Sequence, residues 1–249
     1  MVNVAAVGDL HIQETSEGMI KPALTRVNKE ADLLILAGDL THHGRLEEAA
    51  VLLKELADID IPIVGVLGNH DFHDGNESEL SMLLSGYGIH MLDGGAIELE
   101  INGVTIGLTG SKGFGGGFGV RMIPDFGETT LRKMYQEAMF EASKIGEGLD
   151  SLETDFKVVV LHYAPIRETL QGEPLEIYPF LGTSLLAEQI DHRGADLVVH
   201  GHAHHGFEAA TTAGGVPVRN VAMPILGRPY IIYRLGVSAR TQEAPPPLQ

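Results

Sequence analysis

The chain has 249 residues, enough to bury a full core as one large α/β domain or two small ones, and no linker composition divides it. Its formal net charge of -17, from 34 Asp and Glu against 17 Lys and Arg, argues against nucleic-acid polymers and anionic membranes, whose binding relies on cations that neutralise phosphates. The absence of cysteine rules out disulfides, zinc–thiolate sites and cysteine nucleophiles.

Met1-Val2-Asn3-Val4 leads straight into a strand pattern without a charged n-region, an apolar h-region or a cleavage site, and no apolar run reaches membrane-spanning length. A cytoplasmic protein is the expectation. Residues 3–71 read as three strand–helix repeats with Asp9, Asp39 and Asn69 recurring at thirty-residue intervals, about the length of a βαβ unit. That pattern predicts a parallel sheet, with helices over about 19–30 and 45–57 and right-handed crossovers that bring the three polar residues to one edge. A short helix is expected over 77–86, followed by a hairpin from Ala96 to Thr109 that turns at Asn102-Gly103.

The segment Gly110 to Gly119 matches neither GxGxxG nor the P-loop pattern; because it follows a strand and carries Lys112, it is expected to be a mobile active-site flap. Residues 128–149 read as one long polar helix on the solvated exterior, whose charges could also support an oligomer contact. The long stretch from Tyr163 to Gly182 is a candidate for shaping a substrate pocket. A helix over 183–193 and strands near 206–210, 216–222 and 230–234 follow, the strands closing a second, more antiparallel sheet. A single domain is expected over 1–243, with a Pro-rich extended tail over 244–249.

Chemistry is concentrated where apolar runs stop. Val4-Ala5-Ala6-Val7-Gly8 ends in Asp9-Leu10-His11, Leu33 to Gly38 in Asp39, Ile63 to Leu67 in Gly68-Asn69-His70-Asp71, Val158 to Leu161 in His162, and Leu197 to Gly201 in His202-Ala203-His204. Any one of these could be an ordinary turn or a structural histidine. Five together point to one crevice, because ligands in α/β sheets bind beyond the carboxyl ends of the strands. Oxygen and imidazole donors without thiolate suit Mn, Fe, Zn, Co or Ni. Asp9, His11, Asp39, Asn69, His162, His202 and His204 exceed one tetrahedral site and suit two metals sharing a carboxylate, for which Asp39, the solitary carboxylate of its strand end, is the natural bridge. A glycine before Asp9, Asp39, Asn69 and His202 permits a tight turn or the close approach of another chain segment.

Asp9-x-His11, Gly38-Asp39, Gly68-Asn69-His70-Asp71, His162 and Gly201-His202-x-His204, in this order over residues 9–204, resemble the complete signature of the calcineurin-like metallophosphoesterases. The resemblance implies an α/β fold, a four-layer α/β/β/α sandwich of two mixed sheets, and two divalent or mixed-valence metal ions. It implies that Asp9, His11, Asp39 and His204 hold one ion and that Asp39, Asn69, His162 and His202 hold the other, with a metal-bridging hydroxide attacking a phosphomonoester or phosphodiester. His70 would then be the catalytic histidine that stabilises the phosphate or protonates the leaving oxygen, and Asp71 would fix its tautomer. The chain departs from the protein Ser/Thr phosphatase pattern at Asp71 and from the purple acid phosphatase pattern at His42, where a Tyr would stand. A class III-like cyclic-nucleotide phosphodiesterase fits the motifs, and a noncatalytic metal-binding scaffold is the alternative from another class. His42, His43, His73 and His205 are candidate pocket residues, His90 and His192 surface or packing residues, and His200 a structural one.

Overall fold

The structure, a computed structural model, describes residues 1–236; the tail expected at 244–249 and the last residues of the expected domain lie outside them. In chain order the strands are β1 (Val2–Val7), β2 (Leu33–Ala37), β3 (Ile63–Val66), β4 (His90–Met91), β5 (Ala96–Ile101), β6 (Val104–Ser111), β7 (Phe156–Leu161), β8 (Leu197–His200), β9 (Ala209–Thr211), β10 (Pro217–Asn220) and β11 (Ile231–Leu235). The helices are α1 (Lys21–Leu24), α2 (Val27–Glu30), α3 (Leu46–Glu55), α4 (Glu77–Gly86), α5 (Thr129–Asp150), α6 (Tyr178–Leu181), α7 (Ser184–Arg193) and α8 (Met223–Leu226).

Two mixed sheets face each other, one in the order β11-β1-β2-β3-β4 and the other β5-β6-β7-β8-β10-β9. Strand alternation sorts the side chains into three cores. Val4, Ala6, Ile35 and Val64 from the first sheet meet Leu108, Val158, Val160 and Val199 from the second, while Ala5, Val7, Leu34 and Leu36 turn outward onto Leu24, Leu52 and Leu80 of the flanking helices. Val159, Leu161 and Val198 turn the other way, onto Ala142, Ile145 and Leu149 of α5 and Leu186 and Ile190 of α7. A strand buried on both faces needs apolar residues throughout, which is why β2 reads Leu-Leu-Ile-Leu-Ala. The outcome is the four-layer α/β/β/α sandwich.

β1, β2, β3 and β4 pair in parallel, so the ends of the first three strands share one edge of the sheet, as the thirty-residue spacing implies. The hairpin turns at Asn102 (φ 54°) and Gly103 (φ 74°), the left-handed pair a two-residue turn requires.

Some elements differ from expectation. The helix read over 19–30 is two short ones; the Thr25 hydroxyl donates back to the Pro22 carbonyl at 2.9 Å at the break, a local bond that competes with the helical ladder. β11 joins the first sheet rather than the second, antiparallel to β1 with Tyr233 opposite Val4, where Ile231, Tyr233 and Leu235 enter the inter-sheet core. α5 is the outer layer expected, yet Ala138, Ala142, Ile145 and Leu149 line a buried face packed on α7 and the second sheet. The Gly110–Gly119 segment is no free flap: its first two residues finish β6, and Gly113, Gly116 and Gly117 donate their N–H groups to Glu141, Pro179 and Gly182 at 2.9, 2.6 and 2.9 Å.

Candidate metal centre

The ends of β1, β2 and β3 from one sheet and of β7 and β8 from the other meet in one crevice. Asp9, His11 and His204 place one ligand atom each within 4.8 Å of one another, and Asp39, His162 and His202 do the same. Asp39 stands between the groups. Its Oδ1 lies 3.3 Å from His162 Nε2, and its Oδ2 lies 3.8 Å from His11 Nε2, which is also 3.9 Å from Asp9 Oδ1.

The donor set fits a cation on grounds of hydrogen bonding alone. His162 is fully buried, and its Nδ1 faces the Ala37 carbonyl at 3.0 Å, which fixes the proton there. The lone pair of Nε2 then faces Asn69 Oδ1 at 2.9 Å and Asp39 Oδ1 at 3.3 Å, so three electron-rich atoms converge on one point. Without a cation the ring must carry a second proton. Although burial disfavours that, the Asp39 carboxylate outweighs it and holds the imidazole pKa up at about 9; burial likewise opposes the Asp39 charge, and His162 overcomes it to keep the carboxyl below its usual range. His202 is pushed down to about 3 by burial and by its neighbour His162, and so is held neutral, the form that ligates. His204 donates to Asp9 Oδ1 at 2.9 Å, a contact that raises its pKa. His11 Nδ1 is buried without a partner.

Backbone geometry marks the same residues. Asp9 (φ 57°), His11 (φ 45°), Asp39 (φ 49°) and His202 (φ 71°) adopt the left-handed conformation that side chains disfavour; among the described residues only the turn residue Asn102 joins these four outside glycine. Strain of this kind is tolerated where surrounding contacts hold it, and both Asp9 oxygens accept the His202 N–H, at 3.1 and 2.9 Å. Of the glycines that precede Asp9, Asp39, Asn69 and His202, Gly68 and Gly201 are approached most closely: a Cβ at Gly68 would collide with the backbone N and Oδ1 of Asp39, and one at Gly201 with Oδ2 of Asp9.

His70 lies at the crevice with its ring centroid 4.5 Å from that of His11, and its backbone N–H donates to Asp39 Oδ1 at 2.8 Å. The orienting role expected of Asp71 is not what the geometry gives. His70 Nδ1 pairs with the His42 carbonyl at 2.8 Å, leaving Nε2 as the basic nitrogen. Adjacent residues of a tight turn point apart, and Asp71, fully buried, instead accepts from Gly68 N, Leu40 N, Thr41 N and the Thr41 hydroxyl, tying the β3 loop to the β2 loop. Burial, with the nearby Asp39 charge, pushes its carboxyl up to about 6 against those bonds.

Among the remaining histidines, His42 is beside the centre, 5.7 Å from the His11 ring and 5.4 Å from that of His70. His43 stacks edge-on against His42 and is held by buried Glu48; His73 lies beyond it, and His205 is exposed against Glu173. His200 is buried and bonded to the Gly201 carbonyl and the Thr169 hydroxyl, a structural role as expected; His90 and His192 are exposed. The stretch from Tyr163 to Gly182 reaches the crevice at two residues that the sequence does not single out: Tyr163, whose ring lies 4.4 Å from that of His202, and Phe180, whose carbonyl faces His202 Nε2 at 3.2 Å. A tyrosine directly after a candidate ligand histidine is a usable signal; a main-chain carbonyl twenty-two residues away is not.

Facing mixed sheets whose strand ends deliver histidines and aspartates into a common crevice are the architecture of the metallo-dependent phosphatases. The model of the calcineurin-like phosphoesterase family matches residues 2–206, and the chain belongs to that family, the metal-dependent phosphoric ester hydrolases that act on small phosphoesters and use divalent ions. Among solved structures, the phosphopantetheinyl hydrolase PptH of Mycobacterium tuberculosis is similar at 17% identity and TM-score 0.66, with 98% of each chain covered. TT1561 of Thermus thermophilus is similar at 14% identity and TM-score 0.59 over 96% of this chain and 99% of that one. GAP50, the anchor in the inner membrane complex of Plasmodium, is similar at 13% and 0.54 over 90% and 72%. Identities this low carry the fold alone. No curated protein sequence matches. No helix among the described residues is long and apolar enough to cross a membrane.

Proposed function

We propose that the protein hydrolyses small soluble phosphomonoesters or phosphodiesters at a dinuclear centre, with Asp9, His11, Asp39 and His204 holding one ion and Asp39, Asn69, His162 and His202 the other. The observation that carries this reading is the position of Asp39, whose two oxygens face histidines of separate clusters. Bound ions of the Mn, Fe, Zn, Co or Ni kind would supply positive charge for an incoming phosphate and lower the pKa of a water. The chain supplies the rest. Asn69 and Asp39 hold the buried His162 ring in register, the Phe180 carbonyl orients His202, and His70 presents Nε2 toward the crevice. With its Nδ1 proton committed to the His42 carbonyl, His70 can gain a proton only at Nε2, the atom from which it would pass to a departing alkoxide. The acidic surface supports exclusion of nucleic-acid polymers from the substrate range.

The test combines metal analysis with a phosphoester panel assayed in Mn and Fe. Wild type should bind two ions and turn over at least one small ester; Asp39→Ala should lose both ions, and Asp9→Ala mainly one. Retention of two tightly bound ions and near-normal turnover by Asp39→Ala would refute the shared carboxylate. No turnover by fully loaded wild-type protein would favour the noncatalytic scaffold.

A further inference from the structure

Lys112 occupies an unusual place in a chain with twice as many acidic as basic residues. It follows β6, and its carbonyl accepts the N–H groups of His162 and Tyr163 at 3.2 and 3.0 Å, so its backbone is part of the scaffold behind the ligand histidine. Its ammonium is caged by three rings, lying 5.2 Å from the centroid of Phe72, 5.1 Å from Phe114 and 5.5 Å from Tyr163. Phe72 belongs to the turn that carries His70, and Tyr163 packs on His202. The cation therefore lies against rings of both the β3 loop and the β7 loop, and one of those rings, Tyr163, also packs on a histidine of the crevice.

The ammonium is short of partners. An ammonium has three donors, and among the described residues this one makes a single hydrogen bond, to the Gly113 carbonyl at 2.8 Å. The nearby buried carboxylate of Glu141 is already committed to Lys144 and the Gly113 N–H, at 2.7 and 2.9 Å. Burial lowers the pKa of Lys112, a sign that its charge is poorly solvated where it stands. The Glu141, Glu137 and Asp93 carboxylates act on it electrostatically, opposed by Lys144, but the one hydrogen bond it makes is to a carbonyl, and aromatic faces hold a cation in position without supplying a counter-ion. Phe72 remains 38% exposed and Lys112 is only partly buried, so the cage is not sealed from solvent.

We propose that Lys112 is a specificity-determining residue that binds a second anionic group, a phosphate or carboxylate, on the substrate of the phosphoesterase reaction. The inference rests on the function proposed above and narrows it to phosphate esters that carry a further anion beyond the scissile phosphate. The scissile group goes to the Asp and His cluster, and Tyr163, standing between His202 and Lys112, sets the spacing to the second anion. A poorly solvated ammonium gains more from an arriving anion than a surface lysine does, and a charge-assisted contact of this kind corresponds to roughly 10- to 100-fold in affinity.

The test uses non-hydrolysable probes: an alkylphosphonate and the α,ω-alkanebisphosphonates of increasing length, titrated by calorimetry into metal-loaded wild type, Lys112→Met and Lys112→Arg. Wild type should bind a bisphosphonate of one optimal length about 10- to 100-fold more tightly than the monophosphonate, Lys112→Met should erase the preference, and Lys112→Arg should retain most of it. Turnover of the matching alkyl phosphates and bisphosphates should show the same selectivity, chiefly in KM. Absence of any length-dependent preference in wild type, or equal weakening of both ligands in Lys112→Met, would overturn the proposal and leave Lys112 a scaffold residue. Failure of every ester to turn over while the bisphosphonate preference persists would instead count against the hydrolytic reading, with the second-anion site standing.

Discussion

Replacing Gly68 by alanine adds one methyl group at the point where two strand-end loops touch. The new Cβ would fall on the backbone N and Oδ1 of Asp39 and within 2.9 Å of its Cγ. A side-chain rotation relieves only part of this clash, because the Asp39 N is main chain, so the ends of β2 and β3 must separate. Overpacking of this kind costs about 1–3 kcal/mol, which in a chain of this size lowers Tm by roughly 2–12 °C. Asp39 Oδ1 also accepts the His70 N–H at 2.8 Å, and the displacement should weaken that contact along with metal binding at both clusters. Gly86, helical in α4 and with nothing within 4 Å of an added Cβ, is the internal control: Gly86→Ala should gain about 0.5–1 kcal/mol and leave metal content unchanged. Differential scanning calorimetry of the metal-free proteins and metal titration of each variant read both effects. If Gly68→Ala melts with wild type and binds two ions with wild-type affinity, close approach at Gly68 does not hold the Asp39 carboxylate in place.

Three further outcomes are expected. His70→Asn should lower kcat/KM for an alkyl ester by up to about 10²- to 10⁴-fold and for a nitrophenyl ester by less, with metal content intact; equal losses on both esters would exclude a proton-donating role. Asp71→Ala strands four donors and should cost on the order of 4 kcal/mol by urea denaturation, whereas Thr41→Val, which removes one of those bonds and the one the hydroxyl accepts from the Gly44 N–H, should cost about 2; loss of activity by Asp71→Ala without loss of stability would restore Asp71 to a role through His70. Glu55 is buried, which alone would raise its pKa, but the N–H groups of Gly18, Ile20 and Lys21 hold it below the usual value, so the stability it adds is present above the unfolded carboxyl pKa and lost as pH falls through the folded one. Glu55→Gln should therefore destabilise at neutral pH by about 1.5–3 kcal/mol, with the gap to wild type closing in acid; a gap independent of pH would show that the charge is not what those N–H groups recognise.

The site was legible because its residues follow buried strands, and buried strands are conspicuous as unbroken apolar runs: the ends of β1, β2, β3, β7 and β8 carry every residue of the two clusters. Side-chain direction within a turn was less accessible. Asp71 follows His70 in sequence yet points to the β2 loop, because a 3₁₀ turn sends neighbours to different sides, and the actual partner of His70 is a carbonyl, which no residue type announces. β11 was placed with the wrong sheet because an alternating strand specifies that one face is buried without specifying the edge it joins. The glycine-rich segment read as mobile for a similar reason. Glycine signals freedom in an unfolded chain, but at Gly115 and Gly116 it admits the close approach of Pro179, Phe180 and Thr183, and the segment is packed.

The His204 to Asp9 hydrogen bond joins residues 195 positions apart, and the His162 to Asn69 contact joins residues 93 apart. Each closes a large loop of chain, and the entropic cost of such closure grows only with the logarithm of loop length, by about 0.6 kcal/mol per doubling. The crevice is therefore nearly indifferent to how much chain lies between its contributors, provided the two sheets still dock. The exposed stretch 124–128 ahead of α5 could accept extra residues, or whole additional modules, at small thermodynamic expense and without displacing a single side chain of the centre. Folding kinetics would bear the consequence instead, because contacts this distant in sequence form late, and the crevice should be among the last parts of the molecule to assemble.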